Sequence, residues 1–271
     1  MPPRRSIVTL STWLALRETA DAAARSDALT RRVVQAIEHR RPLRIVDLGA
    51  GTGANARYLL NRLPRPQRWL LVDRDPSLLD ESRRSPALTT VVETRQLTLG
   101  PVESLDVCAG AHLVTASALL DLVSETWLQA LAARCRAEGA AVLFALTYDG
   151  RSECLPGEPE DSTIQMLFNE HQTCSDKGFG AAAGPAAASC AERALGAVGY
   201  HVERAASDWR LGPEARDLQS QLIQGWAGAA AEMDPLRSSM IASWRNRRLA
   251  HIDAGRSRVT VGHQDLVAWI P

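Results

Sequence analysis

Lysine is nearly absent from this chain of 271 residues: Lys177 stands alone among 31 basic side chains, the rest being arginine. With the many alanines this points to a GC-rich coding bias, under which a retained lysine is a candidate for a specific role. Net charge is absent too, because 31 acidic residues balance the 31 basic ones. A neutral chain has no global attraction to phosphate backbones or anionic bilayers, so no nucleic-acid partner is expected. No apolar run approaches the roughly 20 residues of a membrane span, and no membrane partner is expected either. The N-terminal stretch from Met1 to Trp13 has neither a long apolar core nor a small-residue cleavage site, so it does not read as a leader. Cysteine is sparse. Cys108, Cys135, Cys154, Cys174 and Cys190 are odd in number and form no C-x-x-C, which fits reduced thiols in a cytoplasmic protein. No internal repeat is present. With 45% hydrophobic and 23% charged residues, the composition is that of a folded domain rather than a disordered chain.

What is present is alternation. Two helices open the chain, one with Ser11 or Thr12 as cap and an apolar stripe of Trp13, Leu14, Leu16 and Ala20. The other is capped by Asp27 and carries Leu29, Val33, Val34 and Ile37. Short apolar strands follow at 43–48, 69–72, within 89–99, at 112–115 and at 141–147, separated by helices at 54–63, after Asp75-Pro76, and at 124–136. Short buried strands alternating with helices predict a parallel sheet covered on both faces, an α/β fold. Residues 149–185 break this rhythm with Gly, Pro, Ser and acidic residues, and predict a lid or binding loop. A helix at 186–198, a strand at 200–205, helices at 214–231 and 235–251 and a strand at 258–270 complete the chain. The whole reads as one domain: a helical cap at 1–41, a core at 42–148, the lid at 149–185 and a C-terminal part at 186–271.

The chemistry concentrates in Val46-Asp47-Leu48-Gly49-Ala50-Gly51-Thr52-Gly53, a buried strand running into a glycine turn and a helix. Glycines permit the tight turn and the approach of a ligand with no Cβ in the way, and the helix start favours an electron-rich group. Strand two ends at Asp73, about 20 residues on, where a carboxylate can accept both ribose hydroxyls of an adenosine. A dinucleotide and S-adenosylmethionine both suit this layout. With Ala54 the stretch also satisfies G-x-G-x-x-A, so an NAD(P)-dependent oxidoreductase stands beside the methyl-donor reading. Asp47 before the turn, the 40 helical residues ahead of the first strand, and a final strand–helices–strand arrangement that suits a reversed last strand favour S-adenosylmethionine.

Asp47 to Gly53 resembles motif I of the class I S-adenosylmethionine-dependent methyltransferases, Leu71-Val72-Asp73-Arg74-Asp75-Pro76 resembles their motif II, and Thr115 to Asp121 is similar to their segment after strand four. The resemblance covers residues 43 to 147. It implies a seven-stranded sheet of order 3-2-1-4-5-7-6 with strand seven antiparallel, S-adenosylmethionine as cofactor, and a small-molecule acceptor with an O, N or C nucleophile. It places Asp47, Gly49, Ala50, Gly51 and Gly53 in the cofactor turn, Asp73 on the ribose, Arg74 along the adenine and Ser117 on the methionine side. Many members carry Asp-Leu after strand three, where this chain has Thr98-Leu99. The first helix often covers the cofactor in this fold, so Arg17 or Arg25 is expected at the methionine carboxylate. No Asn/Asp-Pro-Pro-Tyr follows strand four, as it does in base-directed enzymes, and neither a paired-glutamate loop nor a divalent-metal pattern is visible.

For the acceptor side, His171 is a candidate base and Lys177 a candidate contact for an anionic group, both in the lid. His171, Cys174 and Asp176 lack the second ligand pair a metal site needs, so no metal is expected. Tyr148, Asp149 and Asp121 follow strands five and four at the ligand edge of such a sheet, where each could orient the acceptor or cap a turn. Trp13, Trp226 and Trp244 lie in the expected cap helices and could line its pocket. A protein that binds the cofactor without turnover has the same sequence signature.

Overall fold

Strands buried on both faces need helices on both faces, and the chain supplies them in alternation. The structure, a computed structural model, describes residues 9–88, 92–174, 176 and 178–271. Helices α1 (Leu10–Ala24) and α2 (Asp27–Ile37) come first, capped by Thr9 and Ser26. Then follow β1 (Leu43–Leu48), α3 (Ala54–Leu60), β2 (Gln67–Asp73), α4 (Pro76–Arg84), β3 (Val92–Gln96), β4 (Leu113–Ser117), α5 (Glu125–Glu138) and β5 (Ala141–Leu155). The remainder is α6 (Asp161–Cys174), α7 (Ala187–Ala197), β6 (His201–Ala206), β7 (Trp209–Leu211), α8 (Arg216–Met233), α9 (Ser238–Asp253) and β8 (Arg258–Trp269).

The sheet runs β3-β2-β1-β4-β5-β8-β6, parallel from β3 to β5, with β8 antiparallel to both β5 and β6. This is the expected order, with β8 as the reversed last strand. Among the described residues the sheet nevertheless has eight strands rather than seven, because Trp209 to Leu211 form the short β7 against β8. On one face Val46, Val114, Val142 and Phe144 meet Leu128 and Leu131 of α5 and Leu195 of α7. On the other, Ile45, Leu71 and Trp69 meet Val33 and Ile37 of α2, Leu59 of α3 and Leu79 of α4. The second expected cap helix, α2, is thus a layer of the sheet, and α1 alone lies beyond it. A third core extends past the strand tips, where Leu222, Ile223 and Trp226 of α8 and Trp244 of α9 pack on Tyr148, Trp209 and Val261.

The irregular segment expected over 149–185 is largely regular. β5 does not stop near Thr147; it bends and continues to Leu155, pairing Ser152 to Leu155 with Arg258 to Val261 of β8. Gly150, at φ +88°, lies at the register shift between Tyr148 and Ser152, so the glycine that interrupts the apolar pattern marks a bulge and not the end of the strand. The helix α6 follows and is tied down at its start. Asp161 accepts from Trp244 Nε1 at 2.7 Å and from Arg248 Nε at 3.0 Å, and the Arg248 guanidinium also reaches the Pro156 carbonyl. Among the described residues no helix is long and apolar enough to cross a membrane.

Arg248 is 1% exposed, so its charge depends on Asp161. Removing one partner of a buried pair leaves the other uncompensated, which costs about 3–5 kcal/mol. The Asp161→Ala variant is therefore expected to lose about 3 kcal/mol of stability in denaturant unfolding. A loss below about 1 kcal/mol would show that this ion pair does not anchor the helical cap.

Candidate functional site

The carboxyl ends of β1, β2, β4 and β5 open into one cavity of about 620 Å³, roofed by α1 and by α6 and α8. Its floor at one end is the glycine turn. Gly49, Gly51 and Gly53 have φ of +65°, +52° and +81°, values that L side chains seldom adopt. A Cβ on Gly51 would stand 3.0 Å from Leu14 Cδ1, so α1 lies directly over the turn. No residue of α1 is fully buried, because its inner face of Leu10, Trp13, Leu14, Arg17 and Asp21 borders the cavity. The helix is held by side chains instead: Arg57 donates to Glu18 twice at 2.7 Å, Ser11 to Glu81 at 2.7 Å and Trp209 Nε1 to Asp21 at 3.0 Å.

Asp73, at the tip of β2, accepts the Gly51 N–H at 2.8 Å on one oxygen and the Asp75 N–H at 2.9 Å on the other. Its carboxylate thereby sets the turn and still borders the cavity with Arg74, Asp75, Leu97 and Leu99. Across the cavity lie Ser117, the last residue of β4, and Ala118, Leu119 and Asp121 beyond it. Ala118, just past β4, and Leu146, at the register shift within the neighbouring β5, both have positive φ, 53° and 55°. That conformation costs a non-glycine residue of order 1 kcal/mol or more, and here it sits at the cavity wall.

The far end is an aromatic chamber of Trp13, Tyr148, Phe168, Trp209 and Trp226. Period-two geometry brings it together. Leu146 and Tyr148 on β5 and Val261 and His263 on β8 face the cavity two residues apart, and Tyr148 pairs with His263 in register. The Tyr148 hydroxyl donates to Asn169 Oδ1 at 2.8 Å, and burial, with the Asp149 and Asp121 charges, pushes its pKa up. It stays protonated and engaged.

Two solved structures share this architecture over nearly their full lengths. A cyclopropane-fatty-acyl-phospholipid synthase-like protein from Lactobacillus casei aligns with a TM-score of 0.59 at 9% identity, over 96% of this chain and 94% of that one. A cyclopropane synthase from Mycobacterium tuberculosis aligns with a TM-score of 0.51 at 10% identity, over 96% and 94%. The chain has the class I S-adenosylmethionine methyltransferase fold. No family model and no curated protein matches its sequence.

Within that methyltransferase fold the expected residues divide. Gly49, Ala50, Gly51, Asp73, Arg74, Leu99, Ser117, Arg17, Asp121 and Tyr148 border the cavity. Asp47, Gly53, Arg25, Thr98 and His171 do not. Gly53 is needed for packing, since a Cβ there would lie 2.9 Å from Leu88 Cδ1 and 3.2 Å from Ser82 Cβ. Thr98 points to solvent while its neighbours Leu97 and Leu99 face in. His171 turns away from the cavity to Glu232, 3.1 Å distant. Asp149 is bound by Arg151 and Gln264 outside the cavity wall. Asp176 accepts three backbone N–H groups, from Gly178, Phe179 and Gly180. Lys177 lies outside the described residues. Trp13 and Trp226 line the chamber, while Trp244 is buried against Asp161. Among the described residues no group of three or more His, Cys, Asp or Glu is placed to hold a metal.

Asp47 and Arg25 work behind the turn. Asp47 is fully buried and accepts from Asn55 Nδ2 at 2.7 Å; the same amide nitrogen reaches Thr115 Oγ1 at 3.1 Å. Arg25 donates to Asn55 Oδ1 at 2.8 Å, lies over the Tyr58 ring at 4.4 Å and faces Asp265 at 3.7 Å. Asp265 also accepts the N–H groups of Ser26 and Leu146. Of these side chains Asn55 and Leu146 border the cavity.

His263 is the residue the sequence reading missed. It is 6% exposed, and burial, reinforced by the Arg17 charge, lowers its pKa to about 4 against the opposing pull of Asp149, the Val261 carbonyl and Asp208. Its period-two spacing from Val259 and Val261 on β8 is the signal in the sequence.

Two buried groups make stability depend on pH in opposite senses. Between pH 6.5 and about 4 the unfolded His263 takes a proton that the native ring refuses, so its contribution is lost as pH falls. Burial raises Asp47 from 3.8 to about 7 against its Asn55 hydrogen bond and the Arg25 charge, so its contribution is lost as pH rises through that window. The two slopes offset one another in the parent protein. Asp47→Asn should make stability climb with pH between about 4 and 6.5, and His263→Gln should make it decline, in denaturant unfolding at several pH values. Variants whose pH dependence parallels the parent would refute these assignments.

Proposed function

We propose that the chain is an S-adenosylmethionine-dependent methyltransferase acting on a small molecule. The observation that carries this reading is the continuity of the cavity, from the glycine turn and Asp73 at one end to the aromatic chamber at the other. Its volume of about 620 Å³ falls within the roughly 300–1,000 Å³ of small-molecule sites. The residues suit the cofactor. Each Asp73 oxygen spends one acceptor site on a backbone amide, and a carboxylate oxygen has a second. Asp73 would hold the ribose hydroxyls, Leu97 and Leu99 with Arg74 the adenine, and Ser117 with Arg17 the methionine end. When bound, S-adenosylmethionine supplies an activated methyl group on a sulfonium.

This chain's own residues then need to align the acceptor and keep water out. Trp13, Phe168, Trp209 and Trp226 exclude water from the chamber, and α1 covers the turn. Arg17 lies over the Trp209 ring at 5.1 Å while bridging to Asp21 at 2.9 Å, which fixes the wall between the two ends. One structural neighbour is named a cyclopropane synthase and another a cyclopropane-fatty-acyl-phospholipid synthase-like protein, and an apolar acceptor fits this chamber.

Calorimetry with S-adenosylhomocysteine and with NAD tests the cofactor. Heat is expected with the sulfur ligand alone, and heat with NAD alone would make the chain an oxidoreductase. Asp73→Ala removes charge-assisted hydrogen bonds worth about 1.5–3 kcal/mol, so S-adenosylhomocysteine should bind about tenfold or more weakly. An unchanged dissociation constant would place the ribose elsewhere.

A further inference from the structure

We propose that His263 is the catalytic base of the acceptor chamber, and that the chamber takes a flat, neutral acceptor bearing one hydroxyl. The proposal rests on the methyltransferase reading and assigns the acceptor half of the same cavity. Three features of the chamber support it. Its lining is mostly aromatic, and ring faces and edges of Trp13, Tyr148, Phe168, Trp209 and Trp226 favour a planar guest. Second, a ring face that could hold a ligand cation is already taken. The Arg17 guanidinium already occupies one face of Trp209, at 5.1 Å from the ring centroid, and adds positive charge there. It does not call for an anion either, because Asp21 neutralises it at 2.9 Å.

Third, the chamber wall contains a buried histidine whose inner ring nitrogen faces the backbone. The His263 ring packs between Trp209, at 5.0 Å, and Tyr148, at 6.3 Å. Its Nδ1 is shut off from solvent and makes no well-formed hydrogen bond, the Val261 carbonyl being the polar group beside it. Because the ring borders the cavity while Nδ1 is sealed, the geometry directs Nε2 to the acceptor. Nearby charges are Arg17 and Asp21 on α1, Asp149 on β5, Asp208 before β7 and Asp121 after β4.

The low basicity enforced by burial keeps the ring neutral and able to accept at physiological pH. In the reaction the acceptor oxygen attacks the sulfonium methyl. The C–O bond forms as the S–C bond breaks, and the electron pair of that bond stays on sulfur, leaving S-adenosylhomocysteine. The proton of the hydroxyl passes to His263 Nε2 and then to solvent. An oxygen that is gaining a methyl while still protonated is a far stronger acid than imidazolium, so a weak base suffices.

Two matched probes test this: 2-naphthol, which has the hydroxyl, and 2-methoxynaphthalene, which has the same rings and no donor. Binding is followed by quenching of tryptophan fluorescence, with and without S-adenosylhomocysteine. The naphthol is expected to bind at least tenfold more tightly. His263→Phe should abolish that preference, and His263→Gln, whose amide oxygen can accept, should retain part of it. S-adenosylhomocysteine affinity should be unchanged in both. In the unaltered protein, 15N NMR of the histidines should show the His263 Nε2 signal move with naphthol and stay with the ether. Equal affinity for the two probes, a preference that survives His263→Phe, binding of neither probe, or an unmoved Nε2 signal would each overturn the proposal. Failure to bind S-adenosylhomocysteine would strike the cofactor reading alone, because the probe comparison is also made without it.

Discussion

A guanidinium cannot be buried alone, and Arg25 is 7% exposed at the junction of α1 and α2. The groups set against it come from segments distant in the chain. Asp265 on β8 faces it, Asn55 at the start of α3 accepts from it, and Asn55 in turn reaches Asp47 on β1 and Thr115 on β4. The same Asp265 caps the N–H of Ser26 and holds the N–H of Leu146 in its positive-φ conformation. This buried cluster thereby links the exit of α1, the glycine turn, and the irregularity in β5 beside which Tyr148 reaches the chamber. The cavity's two ends are positioned by a single polar group between them.

That arrangement explains why α1 can cover the site with so little buried surface. It is anchored at its C-terminal end by Arg25 and along its length by Glu18, Asp21 and Ser11. Side-chain ties of this kind open at lower cost than a packed core, which suits an element lying over a ligand turn. By contrast α6 is fastened through Asp161 and Arg248 to α9. The helical cap is tied through the buried Arg248 on the α6–α9 side and through part-buried side-chain contacts on the α1 side.

The sheet was legible in the sequence because its signals are local. Leu43 to Leu48 is an apolar run that ends in glycines, and Leu71-Val72-Asp73 repeats the pattern; both give strand, turn and direction within a few residues. The eighth strand was not legible, since Trp209 to Leu211 is too short for a period and exists only by pairing with β8. The lid was misjudged because composition cannot distinguish a glycine in a loop from a glycine in a bulge, and Gly150 is the latter. Asp73 was recognised by its place after β2, whereas Asp47 and Arg25 were assigned to the ligand when they support the turn from behind. Their partners lie up to 239 residues away in sequence, as in the Ser26–Asp265 contact, and no spacing rule reaches so far. His263 was overlooked for the same reason: its meaning comes from Tyr148, Trp209 and Arg17, none of them near it in the chain.

The account stands on one claim, that the glycine turn and the aromatic chamber are two halves of a single site whose cofactor is S-adenosylmethionine. A crystal structure with S-adenosylhomocysteine tests it most directly. The account predicts the ribose hydroxyls on Asp73, the adenine beside Leu97 and Leu99, and the thioether sulfur turned toward Tyr148 and His263. Density for the ligand outside this cavity, or with its sulfur turned away from the chamber, would contradict it.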